Sequence, residues 1–322
     1  DSASPVVVVS RDDIDRAGHA TVADALSSLP QAFGGTYSED SVSTGTDTVG
    51  GNLGRGTGVN LRGLGANATL VLVDGRRMVG AGSRGDVADI SAILMAAVER
   101  VEILLDGASA LYGSDAVGGV VNIRLRRNLD GGEFRASGGL ATQGGYSRYQ
   151  MSQALGRTWS GGHAMAAYEY FHHSPLFGGD RDFVGYADLR PLGGTDRRRS
   201  TYSAPGNILR LNSAGSYVPA YAIPGGQDGT ALRPADFVAG SVNYENQRAT
   251  FWVLPKQSRH SLIASASQEI GSRITLSGDA RFGRRDFLNT GAAPITNLTV
   301  TRANPYFVSP TGDDANPGTL KL

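Results

Sequence analysis

The sequence predicts an α+β domain followed by antiparallel transmembrane β-barrel strands. Up to about residue 128, short aliphatic and β-branched runs alternate with capped amphipathic segments, which is the pattern of mixed strands and helices. Beyond residue 132 the period changes to an alternation of apolar and polar residues, as in strands with one apolar and one polar face, although three of the segments fit less cleanly. The 45 glycines, about twice the usual share of ~7%, agree with a chain rich in tight turns.

Composition excludes several classes of protein. The 322 residues include 30 basic and 30 acidic ones, so no net field favours nucleic acid or an anionic surface. Cysteine is absent, which excludes disulfides, thiolate metal sites and cysteine nucleophiles. No apolar run approaches the ~18 residues of a membrane helix. Barrel strands of ~9–11 alternating residues cross a membrane without such a run.

The first thirty residues predict a strand at Pro5–Ser10 and two short helices. Each helix has a capping residue at its start with an aspartate three positions later, and a residue that ends it. These markers are Ser10, Asp13 and Gly18 for the first helix and Thr21, Asp24 and Pro30 for the second. The apolar spacing in the second helix, at i, i+3, i+4 and i+7 from Val22, predicts one buried stripe.

The stretch 34–58 predicts a long loop, because it consists mostly of Gly, Ser and Thr and can bury no core. Such loops are commonly functional, although a solvated loop without a role fits the composition equally. Strands are predicted next at Val59–Leu64 and at Thr69–Met78, with a turn at Asp74 and Gly75. Residues 80–86 predict a second such loop.

The following segment carries a family resemblance. Two strands are predicted at Val101–Leu105 and Val117–Leu125, joined by a compact Gly/Ser/Asp turn. With their flanks, they resemble the plug domain of TonB-dependent outer-membrane receptors. The matching steps, in order and at nearly the family's spacing, are Glu99-Arg100-Val101-Glu102, Leu111-Tyr112-Gly113 and Gly118-Gly119-Val120-Val121-Asn122-Ile123. The Arg62-Gly63 and Val73-Asp74-Gly75-Arg76 steps match as well.

The resemblance implies an α+β plug at residues 1–128. Residues 129–322 would then be the N-terminal portion of an outer-membrane β-barrel with a long extracellular loop near 174–257. It implies location in the bacterial outer membrane, contact with its lipid, and energised uptake of a scarce ligand such as an iron chelate, vitamin or saccharide. The implied partner is the TonB complex of the inner membrane. A plug-gated passive channel or a signalling receptor without transport remains the alternative.

Five barrel strands are predicted from the alternation. They lie at 133–141, Tyr146–Leu155, His163–Phe171, Arg259–Ile270 and Ile274–Phe282. The connections between them are short on one rim and long on the other, as in outer-membrane barrels. A soluble β-rich binding protein or hydrolase could show the same alternation, so that alternative also stays open.

Two sets of residues are candidates for function. Charged residues in or beside the plug strands fit solvated faces, but a plug inside a barrel meets a polar lumen, so they are candidates for contact with the wall: Arg62, Arg76, Arg100, Glu102 and Arg124. The loops at the plug apex, where the resemblance implies that ligand is met, supply the candidate ligand contacts: Tyr37, Asp40, Asp47, Asn52, Arg55 and Arg84.

No enzyme, cofactor or metal site is predicted. The dinucleotide-like pattern from Gly63 to Ala68 leads into a strand, so it lacks the helix that binds phosphate. The stretch 107–111 lacks the final glycine of a nucleophile elbow. His172 and His173 are adjacent in a strand and therefore face opposite sides.

Two departures from the family pattern limit these predictions. No TonB-contacting box is visible before Pro5, so the coupling residues are not assigned. Five strands cannot enclose a plug, because plugged outer-membrane transporters have about 22 strands and an open edge in lipid leaves backbone groups unpaired. The chain is therefore expected to be a fragment, cut at its N-terminus and continuing beyond Leu322.

Overall fold

A computed structural model describes residues 6–33, 37–41, 52–106, 108–127, 129–290, 297–312 and 319–321. The chain divides into two compact units. The first comprises residues 1–176 and 252–289, and the second comprises residues 177–251 and 290–322.

The longest described strands, with ten to fifteen residues, all lie after residue 130. The helices are α1 (Arg11–Ala17), α2 (Val22–Ser27), α3 (Ala108–Tyr112) and α4 (Asp182–Gly185). The strands up to residue 125 are β1 (Val6–Ser10), β2 (Thr69–Val73), β3 (Arg76–Arg77), β4 (Gly80–Ala81), β5 (Val87–Ala88), β6 (Val98–Leu104) and β7 (Gly119–Leu125). The strands after it are β8 (Gly131–Leu140), β9 (Ser147–Trp159), β10 (Gly162–His173), β11 (Leu176–Phe177), β12 (Asn207–Leu211), β13 (Tyr217–Ala222), β14 (Val238–Ala239), β15 (Trp252–Leu254), β16 (Lys256–Ile270), β17 (Ile274–Leu288), β18 (Thr299–Thr301) and β19 (Thr319–Lys321).

The N-terminal domain, from β1 to β7, is built on a mixed sheet in the order β1-β6-β7-β2-β3. β2 pairs with β7 in parallel, and every residue of β2 is buried, as its apolar sequence predicts. Both predicted helices are confirmed with their capping boxes: Ser10 with Asp13 begins α1, and Thr21 with Asp24 begins α2. The α+β class of this domain is therefore confirmed.

Three local predictions for the N-terminal domain are wrong. Val59–Leu64 is not a strand, because Arg62 has a φ of 59° and Gly63 a φ of 72°, which turn the chain. The strand predicted at Thr69–Met78 ends at Val73, where the predicted turn at Asp74 leads into β3. The connection between β6 and β7 is not a compact turn, since it contains α3 and a 3-10 turn at Ser114–Ala116.

The wall sheet, defined as β8, β9, β10, β16 and β17, is an antiparallel sheet in the order β17-β16-β10-β9-β8. All five predicted strands are confirmed, and the last four extend further than predicted. β10 and β16 are direct neighbours, with His173 opposite Gln257, although about eighty residues separate them in the chain. Antiparallel strands after the α+β domain confirm the predicted fold class.

The second unit has a sheet of its own, in the order β14-β13-β12-β19-β18. Asn207 is buried there and donates to the carbonyl oxygens of Ser200 and Asn243, while its Oδ1 accepts from the Asn243 backbone. In the described part of the chain, helices are too short and too polar to cross a membrane.

Candidate functional site: the seam between the N-terminal domain and the wall sheet

The buried face of the wall sheet carries several polar side chains, whereas the exposed face carries large apolar ones. On β9, Gln150 and Ser152 are buried, whereas Tyr149, Met151 and Leu155 are exposed. The buried face lies against the N-terminal domain. This arrangement is the reverse of a sheet in a water-soluble protein, where apolar side chains are inside.

The centre of the contact is apolar. A 3-10 turn at Met95–Ala97 packs on the wall sheet, and its side chains share one buried cluster with small and medium residues of the inner face. These wall residues are Ala154, Met165, Ala167 and Ile263. Polar contacts on several sides of this patch give the seam the anatomy of a protein-protein interface, with an apolar centre and a polar rim.

Ion pairs join α1, and the segment that follows β7, to β8, the first strand of the wall sheet. Arg135 of β8 donates two hydrogen bonds to Asp15, at 2.8 and 3.2 Å. These bonds hold the pKa of the Asp15 carboxyl below its ordinary value. Glu133, on the same face of β8, lies 2.5 Å from Arg126 and 3.6 Å from Arg11.

A second group of contacts joins the N-terminal domain to β17. Arg285 Nη2 donates to Asp89 Oδ2 at 2.6 Å and contacts Ser91, while Nη1 donates to the carbonyl oxygen of Gly54 at 2.8 Å. Burial alone would raise the pKa of Asp89, but the Arg285 charge and the hydrogen bonds from Ser91 and Thr57 lower it. One wall arginine therefore holds two separate segments of the N-terminal domain.

The wall sheet also contains a buried ion pair of its own. Arg259 Nη2 lies 3.3 Å from Glu169 Oε1, and the two side chains are 5% and 2% exposed. The Arg259 guanidinium stacks over the Phe171 ring at 4.7 Å. Arg259 and Arg285 are direct partners across β16 and β17. Asp89 and Glu169 thus balance two adjacent arginine charges at the seam.

The apical loop, defined as residues 37–41 and 52–57, is held by its own side chains. Asn52 is buried and donates to the carbonyl oxygens of Ser38 and Gly56, at 2.7 and 3.0 Å, and accepts from the Gly56 backbone at 2.9 Å. Arg55 donates to the Glu39 carbonyl oxygen at 2.9 Å, and burial lowers the pKa of its guanidinium. The two halves of the loop are therefore tied together.

The apical loop is also attached to the wall sheet. Glu39 Oε2 lies 2.8 Å from His173 Nε2 of β10 and accepts a hydrogen bond from Gln257 Nε2 of β16, also at 2.8 Å. His173 is fully buried. With Arg285 on the Gly54 side, the loop is held at both of its halves.

One of the five candidate wall contacts meets the wall sheet. Arg76 forms an ion pair of 2.9 Å with Asp279 of β17. The other four pair inside the N-terminal domain: Arg62 with Asp106, Arg100 with Glu99 and Glu102, Glu102 also with Asn122, and Arg124 with Asp74. Contact of those four with a barrel wall stays a prediction.

The six apical candidates differ in exposure. Tyr37, Asn52 and Arg55 are buried, and Asp40 is half-buried and accepts a hydrogen bond from Ser38. Arg84 is exposed between β4 and β5, and Asp47 lies outside the described residues. Their contact with a ligand stays a prediction.

Sequence reasoning missed most of the seam. The missed residues of the N-terminal domain are Asp15, Glu39 and Asp89, and their wall partners are Arg135, His173 and Arg285. The wall residues carried a usable signal, since inward positions on an alternating strand can be counted from its polar face. The acidic partners carried none. His172 and His173 do face opposite sides of the strand, as predicted, and no three acidic or histidine side chains converge as metal ligands in the described ranges.

Comparisons with known proteins show similarity to one family model and to several solved structures. The family model of the TonB-dependent receptor plug domain matches residues 1–120. A mutant ferric enterobactin receptor PfeA from Pseudomonas aeruginosa, in complex with enterobactin, is 17% identical with a TM-score of 0.51, covering 89% of this chain and 34% of that chain. The siderophore receptor PirA from Acinetobacter baumannii is 16% identical with a TM-score of 0.54, covering 88% and 32%. This chain spans about a third of the length of these proteins, and the likeness is one of fold.

Proposed function

We propose that this chain, whose residues 1–120 match the family model of the plug domain, is a TonB-dependent receptor that serves energised uptake of a scarce ligand across the bacterial outer membrane. The ligand would be an iron chelate, vitamin, saccharide or similar small molecule. The TonB complex of the inner membrane would supply the work. In this proposal residues 1–128 are the plug, and residues 129–322 are the first part of the barrel, with a long outer loop near 174–257.

The seam is the observation that carries the proposal. A domain seated on the charged inner face of a sheet, through a small apolar patch and separate ion pairs, can be displaced without unfolding its own core. Each pair holds a different segment: Asp15 of α1, Asp89 before a 3-10 turn, and Arg76 of β3. A force applied to the N-terminal domain would break these contacts and open a path for the ligand along the wall sheet.

The outer face of the wall sheet supports membrane insertion. Tyr149 lies near one end of β9, beside Tyr170 of β10, and Trp159 lies at the other end of β9. Tyr149 and Trp159 are ten positions apart on β9. Ten residues span about 33 Å of strand, or about 25 Å along the membrane normal at a tilt of ~40°, which matches the apolar band of outer-membrane barrels.

Ligand recognition is proposed at the apical loop and its neighbours. The candidates are those named from the sequence: Tyr37, Asp40, Asp47, Asn52, Arg55 and Arg84. The similar solved structures include a ferric enterobactin receptor and a siderophore receptor, which makes ferric enterobactin the first probe to use. Buried Asn52 and Arg55 would act by fixing the loop shape.

Uptake of radioactive iron as ferric enterobactin tests the proposal in cells that carry the full-length receptor. We expect uptake that is lost on deletion of the TonB gene or on addition of a protonophore. Flux that persists without TonB would favour the plug-gated passive channel instead. If ferric enterobactin is not taken up, uptake of copper, cobalamin and maltodextrin is measured in the same way, with and without the TonB gene and with and without the protonophore.

Displacement of the plug is tested by a cross-link across the seam. Because the chain has no cysteine, Arg76→Cys with Asp279→Cys gives one defined pair for a short, cleavable thiol cross-linker. Cross-linked receptor should lose uptake and recover it on cleavage. Each single variant treated with the reagent is the matched control. Unchanged uptake in the cross-linked receptor would contradict displacement at this contact.

A further inference from the structure

The contact between Glu39 and His173 has an unusual arrangement of acceptors. His173 Nε2 lies 2.8 Å from the Glu39 carboxylate, and Nδ1 lies 3.0 Å from the carbonyl oxygen of Ser174. A carbonyl oxygen and an ionised carboxylate only accept hydrogen bonds. Both ring nitrogens must therefore donate, which requires the doubly protonated, charged imidazolium.

Loss of one proton offers His173 a different partner. Gln257 Nε2, which donates to Glu39, is also 3.5 Å from His173 Nε2. A neutral Nε2 would accept from this amide instead of donating to the carboxylate. Glu39 would then lose the charge that faces it and the hydrogen bond from His173 Nε2, and would keep the hydrogen bond from Gln257 Nε2.

We propose that His173 is a pH-dependent anchor of the apical loop, which holds Glu39 to the wall sheet when both ring nitrogens are protonated and releases it when one proton is lost. The device joins a loop of the N-terminal domain to β10 and β16, so it changes the attachment of the loop and not the fold of either part. The proposal does not depend on energised uptake.

Several titratable and charged groups lie near His173. Burial, together with the Glu39 carboxylate, raises the pKa of Tyr146 to about 12, so its phenol stays neutral. The arginines stay charged in any case. His172, the adjacent histidine, faces the opposite side and contacts Ser258. The titratable and charged groups in this region are Glu39, Asp40 and Arg55 of the apical loop, Tyr146 and Arg148 before and on β9, His172 on β10, and Lys256 and Arg259 on β16.

A spin label on the apical loop tests the proposal in the full-length receptor in detergent micelles. Leu53 is 69% exposed within the loop, so Leu53→Cys supplies one label in a cysteine-free chain. Between pH 5 and 9 we expect the mobile fraction of the label to rise with pH. For one proton, the ratio of mobile to immobile label changes by at most about tenfold per pH unit. A label at Leu140, 82% exposed at the end of β8, should not respond.

Variants of His173, Glu39 and His172 show whether the transition depends on the contact between His173 and Glu39. His173→Gln and Glu39→Gln should both leave the label mobile at every pH, whereas His172→Gln should keep the parent transition. The Leu140 label shows whether each variant has kept its wall sheet. The proposal is overturned if the parent shows no transition, if His173→Gln keeps the transition, or if His173→Gln leaves the label immobile throughout.

Discussion

Replacing Arg285 with methionine removes three described hydrogen bonds between the N-terminal domain and β17. The change deletes the bonds to Asp89 at 2.6 Å and to the Gly54 carbonyl at 2.8 Å, and leaves a carboxylate that is 18% exposed without its cation. Breaking a buried ion pair costs about 3–5 kcal/mol, and a hydrogen bond to a charged group contributes about 1.5–3 kcal/mol. Since Asp89 keeps its bonds from Thr57 and Ser91, we expect a loss of about 2–4 kcal/mol in local stability.

Hydrogen exchange of the full-length receptor measures this loss. Peptides that cover residues 52–57 and 89–92 should exchange roughly 30- to 1,000-fold faster in Arg285→Met, at about 1.4 kcal/mol per factor of ten. Arg284→Met is the matched control, because Arg284 faces outward and is paired with exposed Asp286. Acceleration of less than about threefold in Arg285→Met, or equal acceleration in both variants, would refute the assigned role.

Three further predictions concern the same unit. The pKa of the Asp89 carboxyl is lowered in the folded protein, so its contribution to stability is present above the ordinary aspartate pKa of about 3.9 and is lost as the pH falls through the lowered pKa. Residues 89–92 should therefore exchange faster below about pH 4. Asp89→Asn should abolish this pH dependence in hydrogen-exchange measurements. Gly119 has a φ of 136°, and a Cβ there would lie 2.8 Å from the Leu104 carbonyl oxygen. Gly119→Ala should therefore lower the free energy of unfolding in denaturant by about 2–4 kcal/mol, against about 1–2 kcal/mol for Gly75→Ala, where a Cβ would meet no atom within 4 Å. Equal losses in the two variants would contradict this prediction. Asn52→Ala should speed exchange of Gly56 at least about tenfold, while exposed Asn67 serves as the control position; unchanged exchange would show that Asn52 does not hold the loop.

The elements that local chemistry determines could be predicted from the sequence. Ser10 and Thr21 each meet an aspartate three positions later, and both helices begin there. The alternation in β17 gives its two faces correctly, with Asp279 directed to the N-terminal domain. The strand prediction at Val59–Leu64 was wrong because the alternation of Val59 and Leu61 resembles that of a strand. Both side chains are buried without a continuous partner strand; Leu61 has only an isolated bridge to Ala32.

Most of the seam could not be predicted, because its partners are distant in the chain. Glu39 and His173 are 134 positions apart, and Asp89 and Arg285 are 196 apart. Nothing in the local sequence distinguishes Glu39 from any other acidic residue of a polar loop. Arg76 and Arg100 look alike in sequence, as charges beside short strands, yet Arg76 reaches β17 and Arg100 pairs with Glu102 on its own strand. Only the pairing of the sheets separates the two.

The separation of these contacts along the chain also sets an order of folding. The strands of the β1–β7 sheet all lie before residue 126, whereas the seam also needs Arg285 of β17, which is synthesised much later. Contacts of such long range form late, since loop closure must precede them. Without the N-terminal domain, the polar side chains on the inner face of the wall sheet would lack hydrogen-bond partners in lipid, and the apolar side chains on its outer face would be exposed in water. We therefore expect the early domain to act as the template on which the later strands assemble.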